Sequence, residues 1–378
     1  MKPTTHSNHD RNTIQRVVEL TCERIFSENT ERQTPNVETL REKLASKKSA
    51  SNTDSTESFP EKVEGRRYST ADQLTSSVES LVDSLHTYDA YAGSITVAID
   101  ITRLDSDYWL EATTAPGDAS EVEVTPTPTP RFATITTVNT PVPVVLAVEP
   151  LSKPGDETQS EPRTYAEIAR TLIEQAEEHV EIDTLLAPRA FHAGNVISEF
   201  ERQHVEYIIC SRLTTRDRER ISTVKTRGDA THAVERDVDV FVDGTPACTT
   251  NLVYVPEDSA PEEYVGFVTN IDVSKSDLES DMVPETYEKR WNAHVHNRLL
   301  RTRLQTKAVS QAELSRADYE RAATEGNAYS LANHLLRESD EHSSAQCQLP
   351  FDQFLHLLHR KRWGVTTSTV PTRNHESR

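Results

Sequence analysis

The sequence predicts an α/β protein: a mixed sheet flanked by helices, with a helical segment ahead of the sheet and a β-rich insertion within it. Three observations carry this. Apolar, β-branched runs come first, at Ser94–Ile99, Phe132–Val138 and Val142–Val148. Helix-like and strand-like patterns then alternate from Thr164 to Cys210, as they do where crossover helices join parallel strands. A second group of strand-like runs, Val238–Val242, Thr250–Val255 and Tyr264–Asn270, precedes a return to helical spacing after Pro284.

Along the chain, residues 1–44 read as an N-terminal helical segment, with Ile14, Val17, Val18, Ile25 and Phe26 at helical spacing and a short second helix at Leu40 and Leu44. Residues 45–61 are Ser, Thr, Asp, Lys and Pro, the composition of a flexible linker. Residues 62–88 form a helical lead-in through Leu74, Val78, Leu81, Val82 and Leu85. The first part of the core covers 89–212, where the first strand is closed by Asp100 and a Pro-Thr repeat, Thr125–Pro130, follows it. Pro141 and Pro143 make the third strand's start irregular or place it on an edge. Thr164 is the expected N-cap of a helix reaching His179, and strand Ile182–Ala187, helix Asn195–Gln203 and strand Tyr207–Cys210 complete the alternation. The β-rich insertion spans 213–283 and opens on Arg216, Arg218, Arg220, Lys225 and Arg227, read as a solvated helix or loop. The second core part, 284–327, carries a motif helix, and 328–378 hold two helices, Ala328–Arg337 and Phe351–Arg360, and a disordered tail.

Composition excludes several function classes. Of 10 glycines the closest two, Gly228 and Gly244, lie sixteen positions apart, so no phosphate-binding loop, dinucleotide fingerprint or G-x-S-x-G elbow exists. Cys22, Cys210, Cys248 and Cys347 are too scattered for a zinc motif and read as reduced thiols. No apolar run spans a bilayer and no signal-peptide core opens the chain, so a soluble cytoplasmic protein is expected. The net charge of −20, dispersed along the chain with Arg favoured over Lys, fits a salt-adapted protein or an ordinary acidic one.

One constellation points to chemistry. Acidic residues at the end of a first central strand, after a fourth strand and on a late helix can converge to hold two divalent ions about 3.5–4 Å apart for phosphodiester cleavage. Here the sequence resembles the DDE transposases of the insertion-sequence-four group, in particular their haloarchaeal branch. Thr96-Val97-Ala98-Ile99-Asp100-Ile101-Thr102 is similar to the family's first catalytic strand. Ile182-Asp183-Thr184-Leu185-Leu186-Ala187-Pro188-Arg189-Ala190-Phe191 is similar to its second acidic segment. Tyr287-Glu288-Lys289-Arg290-Trp291-Asn292-Ala293-His294, continuing to Arg301, fits the spacing of its Tyr-x2-Arg-x3-Glu-x6-Lys signature, behind the strand Phe267–Asn270. The resemblance, from about Gln73 to Trp363, implies a ribonuclease-H-like core, Mg²⁺ or Mn²⁺ as cofactor, DNA at element ends as partner and a possible homodimer. It gives Asp100 a metal-holding catalytic role, Arg290, Arg298 and Arg301 phosphate contacts, and Tyr287 a part in positioning the strand.

The departures are as informative. Pro188 stands at the second acidic position, His294 at the helical Glu, and Arg301 at the Lys. Neither neighbouring carboxylate substitutes: Asp183 lies roughly 16 Å from Pro188 along the strand, and Glu288 about 9 Å from His294 along a helix. With Asp100 the sole remaining carboxylate, metal binding is doubtful and strand cleavage is expected to be severely impaired or absent. The alternative is a non-catalytic DNA-binding or regulatory protein derived from a transposase. Taken without the family, Asp100 is a turn or helix cap, and Arg290, His294, Arg298 and Arg301 at i, i+4, i+8 and i+11 are a solvated helix face. His356 and His359 beside Arg360–Trp363 read as an amphipathic helix with cations at its C-terminal end.

Overall fold

The computed structural model describes residues 14, 17–19, 21–22, 73–87, 95–104, 131–151, 164–226, 233–257, 260–274, 277, 281–308, 314–339 and 349–363. The expected helix at Leu40 and Leu44, the linker 45–61, the Pro-Thr repeat and the tail beyond Trp363 lie outside them.

Helix α1 (Gln73–Thr87) precedes strands β1 (Ile95–Arg103), β2 (Arg131–Thr137) and β3 (Val145–Pro150). Helix α2 (Tyr165–Glu177), β4 (Ile182–Ala187), a 3₁₀ turn (Arg189–Phe191), α3 (Gly194–Arg202) and β5 (Glu206–Cys210) follow. Then come α4 (Thr215–Thr226), β6 (Ala233–Val242), β7 (Thr245–Glu257) and β8 (Ala260–Thr269). Helices α5 (Met282–Glu288), α6 (Trp291–Ala308), α7 (Arg316–Ser339) and α8 (Phe351–Trp363) close the chain.

All eight strands join one mixed sheet in the order β3-β2-β1-β4-β5-β8-β7-β6. Strands β1, β4 and β5 are parallel, and every other pairing is antiparallel. The β-rich segment therefore extends the main sheet, with Ile208, Ile209 and Cys210 of β5 opposite Thr269, Val268 and Phe267 of β8. Its outer edge strand β6 is mostly solvent-facing and carries Glu235, Asp237 and Asp239 around a bulge, a pattern that discourages pairing with another chain. Asp243 and Gly244 both take left-handed backbone (φ 50° and 79°), so Val242 turns into Thr245 through a two-residue hairpin.

Alternation along β1 puts Val97 and Ile99 into the larger apolar cluster and Ala98 into a second one with Leu186, Ile208, Phe267, Val283 and Ala293. Thr164 caps α2 with a full capping box, reciprocated by Glu167. The opposite sheet edge is closed by a side chain: Asn327 of α7 bonds both the N–H (2.8 Å) and the C=O (2.9 Å) of Val145. Helix α1 packs on β3 and α7, and Ile14, Val17 and Val18 share its apolar cluster, so these described residues are part of the main core.

Several boundaries differ from the sequence expectation. Strand β1 does not end at Asp100 but runs on to Arg103, with Asp100 opposite Thr134, so Asp100 is neither a turn residue nor a cap. Pro284 does not precede its helix but occupies the first turn of α5, where its missing N–H costs nothing. Tyr287 to Arg301 is not one continuous helix: the chain breaks at Lys289 and Arg290 between α5 and α6.

Candidate functional site: the Asp100 junction between β1 and α6

Asp100 lies at the centre of the sheet, 5% exposed, beneath the start of α6. A lone carboxylate so deeply buried has to be compensated. Arg290 Nη1 donates to Oδ1 at 2.8 Å, and Asn297 Nδ2 donates to Oδ2 at 3.1 Å. His294 Nδ1 stands 3.4 Å from Oδ2. Asn297 is itself fixed by Thr134, whose hydroxyl donates to its Oδ1 at 2.9 Å. Arg290 and Asn297, seven residues apart and so on the same side of the chain by helical periodicity, engage the two oxygens of one carboxylate.

Arg290 is held in turn by Tyr287, whose ring lies 5.5 Å from the guanidinium carbon. Tyr287 packs on Phe267 at 5.2 Å and its hydroxyl donates to the Ala187 carbonyl at 3.3 Å. Burial pushes its phenol up to about 12, outweighing the nearby guanidinium, so it stays a donor across the ordinary pH range. Pro188 sits at the C-terminal end of β4, two residues past the Ala98–Leu186 pair and thus level with Asp100. Its carbonyl accepts from Phe191 N at 2.8 Å within the 3₁₀ turn.

The residues singled out from sequence therefore separate. Tyr287, Arg290 and His294 converge on Asp100. Arg298 and Arg301 do not: with His294, Thr102 and Arg103 they line an open groove of about 540 Å³ beside it. Arg303, two residues further along α6, faces inward and pairs with the fully buried Glu325 of α7 at 2.6 Å. Sequence reasoning missed Asn297 and Thr134. The available signal for Asn297 was its position three residues after His294, on the same helical face.

The donor set does not suit the divalent ion that the resemblance implies. Mg²⁺ requires about six oxygens in near-octahedral array, and Asp100 offers a carboxylate already bonded at both oxygens. His294 offers nitrogen, Pro188 a bonded carbonyl, and the Arg290 cation sits 2.8 Å from Asp100. Among the described residues no group of three or more His, Cys, Asp or Glu is arranged to hold a metal.

No family model matches the chain, and no curated protein matches it. Among solved structures, a piggyBac transposase in a synaptic complex with hairpin DNA is similar at 10% identity and a TM-score of 0.29, over 95% of this chain and 78% of that one. A TM-score of that size is too low to establish a shared fold. Among the described residues no helix is long and apolar enough to cross a membrane.

Proposed function

We propose that this protein is a transposase relative of ribonuclease-H-like build that binds DNA at element ends and does not cut it. The strand order β3-β2-β1-β4-β5, antiparallel across the first three and parallel thereafter, supports the ribonuclease-H-like reading, with Asp100 on its central strand. The observation that carries the loss of cleavage is the double engagement of Asp100 by Arg290 and Asn297. An internal guanidinium neutralises the carboxylate that a metal would otherwise serve. Mg²⁺ and Mn²⁺ are accordingly no part of the proposed activity. Arg298 and Arg301 retain the phosphate-contacting role, whereas Arg290 has become a counter-ion.

The test compares this chain with a Pro188→Asp, His294→Glu double variant on DNA carrying inverted-repeat element ends, with Mg²⁺ or Mn²⁺. The unaltered chain is expected to retard the DNA and leave it uncut. Cleavage that Asp100→Ala abolishes would overturn the loss of catalysis. If neither form binds or cuts, the transposase reading itself fails.

A further inference from the structure

Three large apolar side chains stand exposed among the described residues: Phe241, Trp291 and Val295. Two of them, Trp291 (63% exposed) and Val295 (50%), lie one turn apart at the start of α6, on either side in sequence of His294, a residue that lines the arginine-bearing groove, and so form its rim. Trp291 is nevertheless seated. Its ring rests on His294 at 4.9 Å and 32°, and His294 reaches Asp100 below it. One aromatic face is thus backed by a fixed partner while much of the ring stays in water.

We propose that this rim and groove seat an unpaired nucleic-acid strand, with Trp291 as the platform on which a base stacks and Arg103, Arg298 and Arg301 as its phosphate contacts. The inference rests on the DNA-binding reading and names the form of DNA that this face takes. Charge decides the class of partner: in a chain of net charge −20, three arginines and no carboxylate stand among the described residues that line the groove, and Asp100 beside it is already neutralised by Arg290. Arg103 and Arg298 have no ion pair to another described residue. Geometry decides the form. In a duplex the base faces are hidden in the stack, and a protein meets only edges and backbone, so an open indole face gains nothing from paired DNA. An unstacked base presents a π-face, and such stacking contributes about 1–3 kcal/mol per base whatever the sequence. The groove's volume falls in the range of small-ligand sites, room for about one nucleotide.

The test is fluorescence anisotropy with a labelled oligo-dT and a mixed-sequence duplex of equal length, using the full chain without added metal. The unaltered chain is expected to bind oligo-dT more tightly than duplex, with tryptophan emission quenched on binding. Trp291→Ala, an exposed substitution whose folding is checked by its melting temperature, should weaken oligo-dT binding about tenfold or more and leave duplex binding unchanged. Arg298→Ala should weaken both. Duplex bound as before while Trp291→Ala leaves oligo-dT affinity unaltered would overturn this inference alone. So would a doubling of mass in solution that Trp291→Ala abolishes, because a second copy would then cover the platform. If neither DNA binds, the DNA-binding reading falls and this inference with it.

Discussion

Helix α6 and the residue just before it close two buried arginine–carboxylate contacts with almost the same local geometry and different surroundings. At its start, Arg290 meets Asp100 at 2.8 Å; further along, Arg303 meets Glu325 at 2.6 Å, and the two arginines are exposed to the same slight degree. The Arg303–Glu325 pair joins α6 to α7 with its carboxylate fully buried. The Arg290–Asp100 pair opens onto a groove with two more arginines of the same helix and an exposed indole. Burial of a carboxylate against an arginine is thus a recurrent structural solution, seen again where Arg316 meets the buried Glu149 at 2.9 Å. Only its neighbourhood marks the Asp100 pair as a site.

The sharpest way to break the comparison is to remove the Glu325 carboxylate. Glu325→Ala removes a fully buried carboxylate and offers Arg303 no acceptor in its place, and losing one partner of a buried pair costs about 3–5 kcal/mol. The expected result is a large drop in melting temperature with DNA binding, scaled to the folded fraction, unchanged. A loss below about 1 kcal/mol would mean that Arg303 swings to solvent, as exposed pairs allow.

Next in size is a pH effect from the same crossing. His296 of α6 is buried against Gly326 of α7, where an added Cβ would lie 2.9 Å from its Nε2, and only its Nδ1 meets a partner, Ser330, at 3.2 Å. Burial lowers its pKa to about 4 from the ordinary 6.5. The folded state therefore refuses a proton that the unfolded chain accepts, and stability falls as pH drops from 6.5 towards 4, by about 3 kcal/mol in all. Urea unfolding at pH 7 and pH 4.5 measures this. His296→Leu should flatten the difference relative to the unaltered chain; an equal pH dependence in both would assign the effect to carboxylates elsewhere.

Much of this arrangement was legible in the sequence, unevenly. Strand β4 falls on the short apolar run Ile182–Ala187, and α2 starts at its Thr164 cap, because local propensity and tertiary packing agree there. Strand β1 reads short because Asp is poor strand material; Asp100 is tolerated only through Arg290 and Asn297, which lie nearly two hundred residues away. Helix α7 starts at Arg316 instead of Ala328 because Glu320, Thr324, Glu325 and Asn327, polar yet buried, interrupt the apolar spacing that marks a helix. That the β-rich segment extends the main sheet was invisible for a similar reason: the β5–β8 pairing is long-range. At the site, the family resemblance named Asp100, Arg290 and His294, but the expected common face divides, with Arg290 and His294 on Asp100 and Arg298 and Arg301 along the groove.

The smallest expected effect tests the open contact itself. Asp100→Asn keeps the shape and an acceptor for Arg290 but removes the charge, and Arg290, partly exposed, can recruit water. Breaking one charge-assisted hydrogen bond in that setting costs about 1–2 kcal/mol, less than the Arg303–Glu325 pair. Metal supplies the decisive control. A protein that binds Mg²⁺ only when folded gains stability in proportion to the logarithm of its concentration once the site fills. If Arg290 has taken the place of that ion, millimolar Mg²⁺ or EDTA should leave the unaltered chain's melting temperature where it was, and Asp100→Asn should not change that indifference. A melting temperature that climbs with Mg²⁺ in the unaltered chain and stays flat in Asp100→Asn would mean that Arg290 yields to the ion. The junction would then be a metal centre held shut, and the contrast between the two arginine pairs would become one of reversibility.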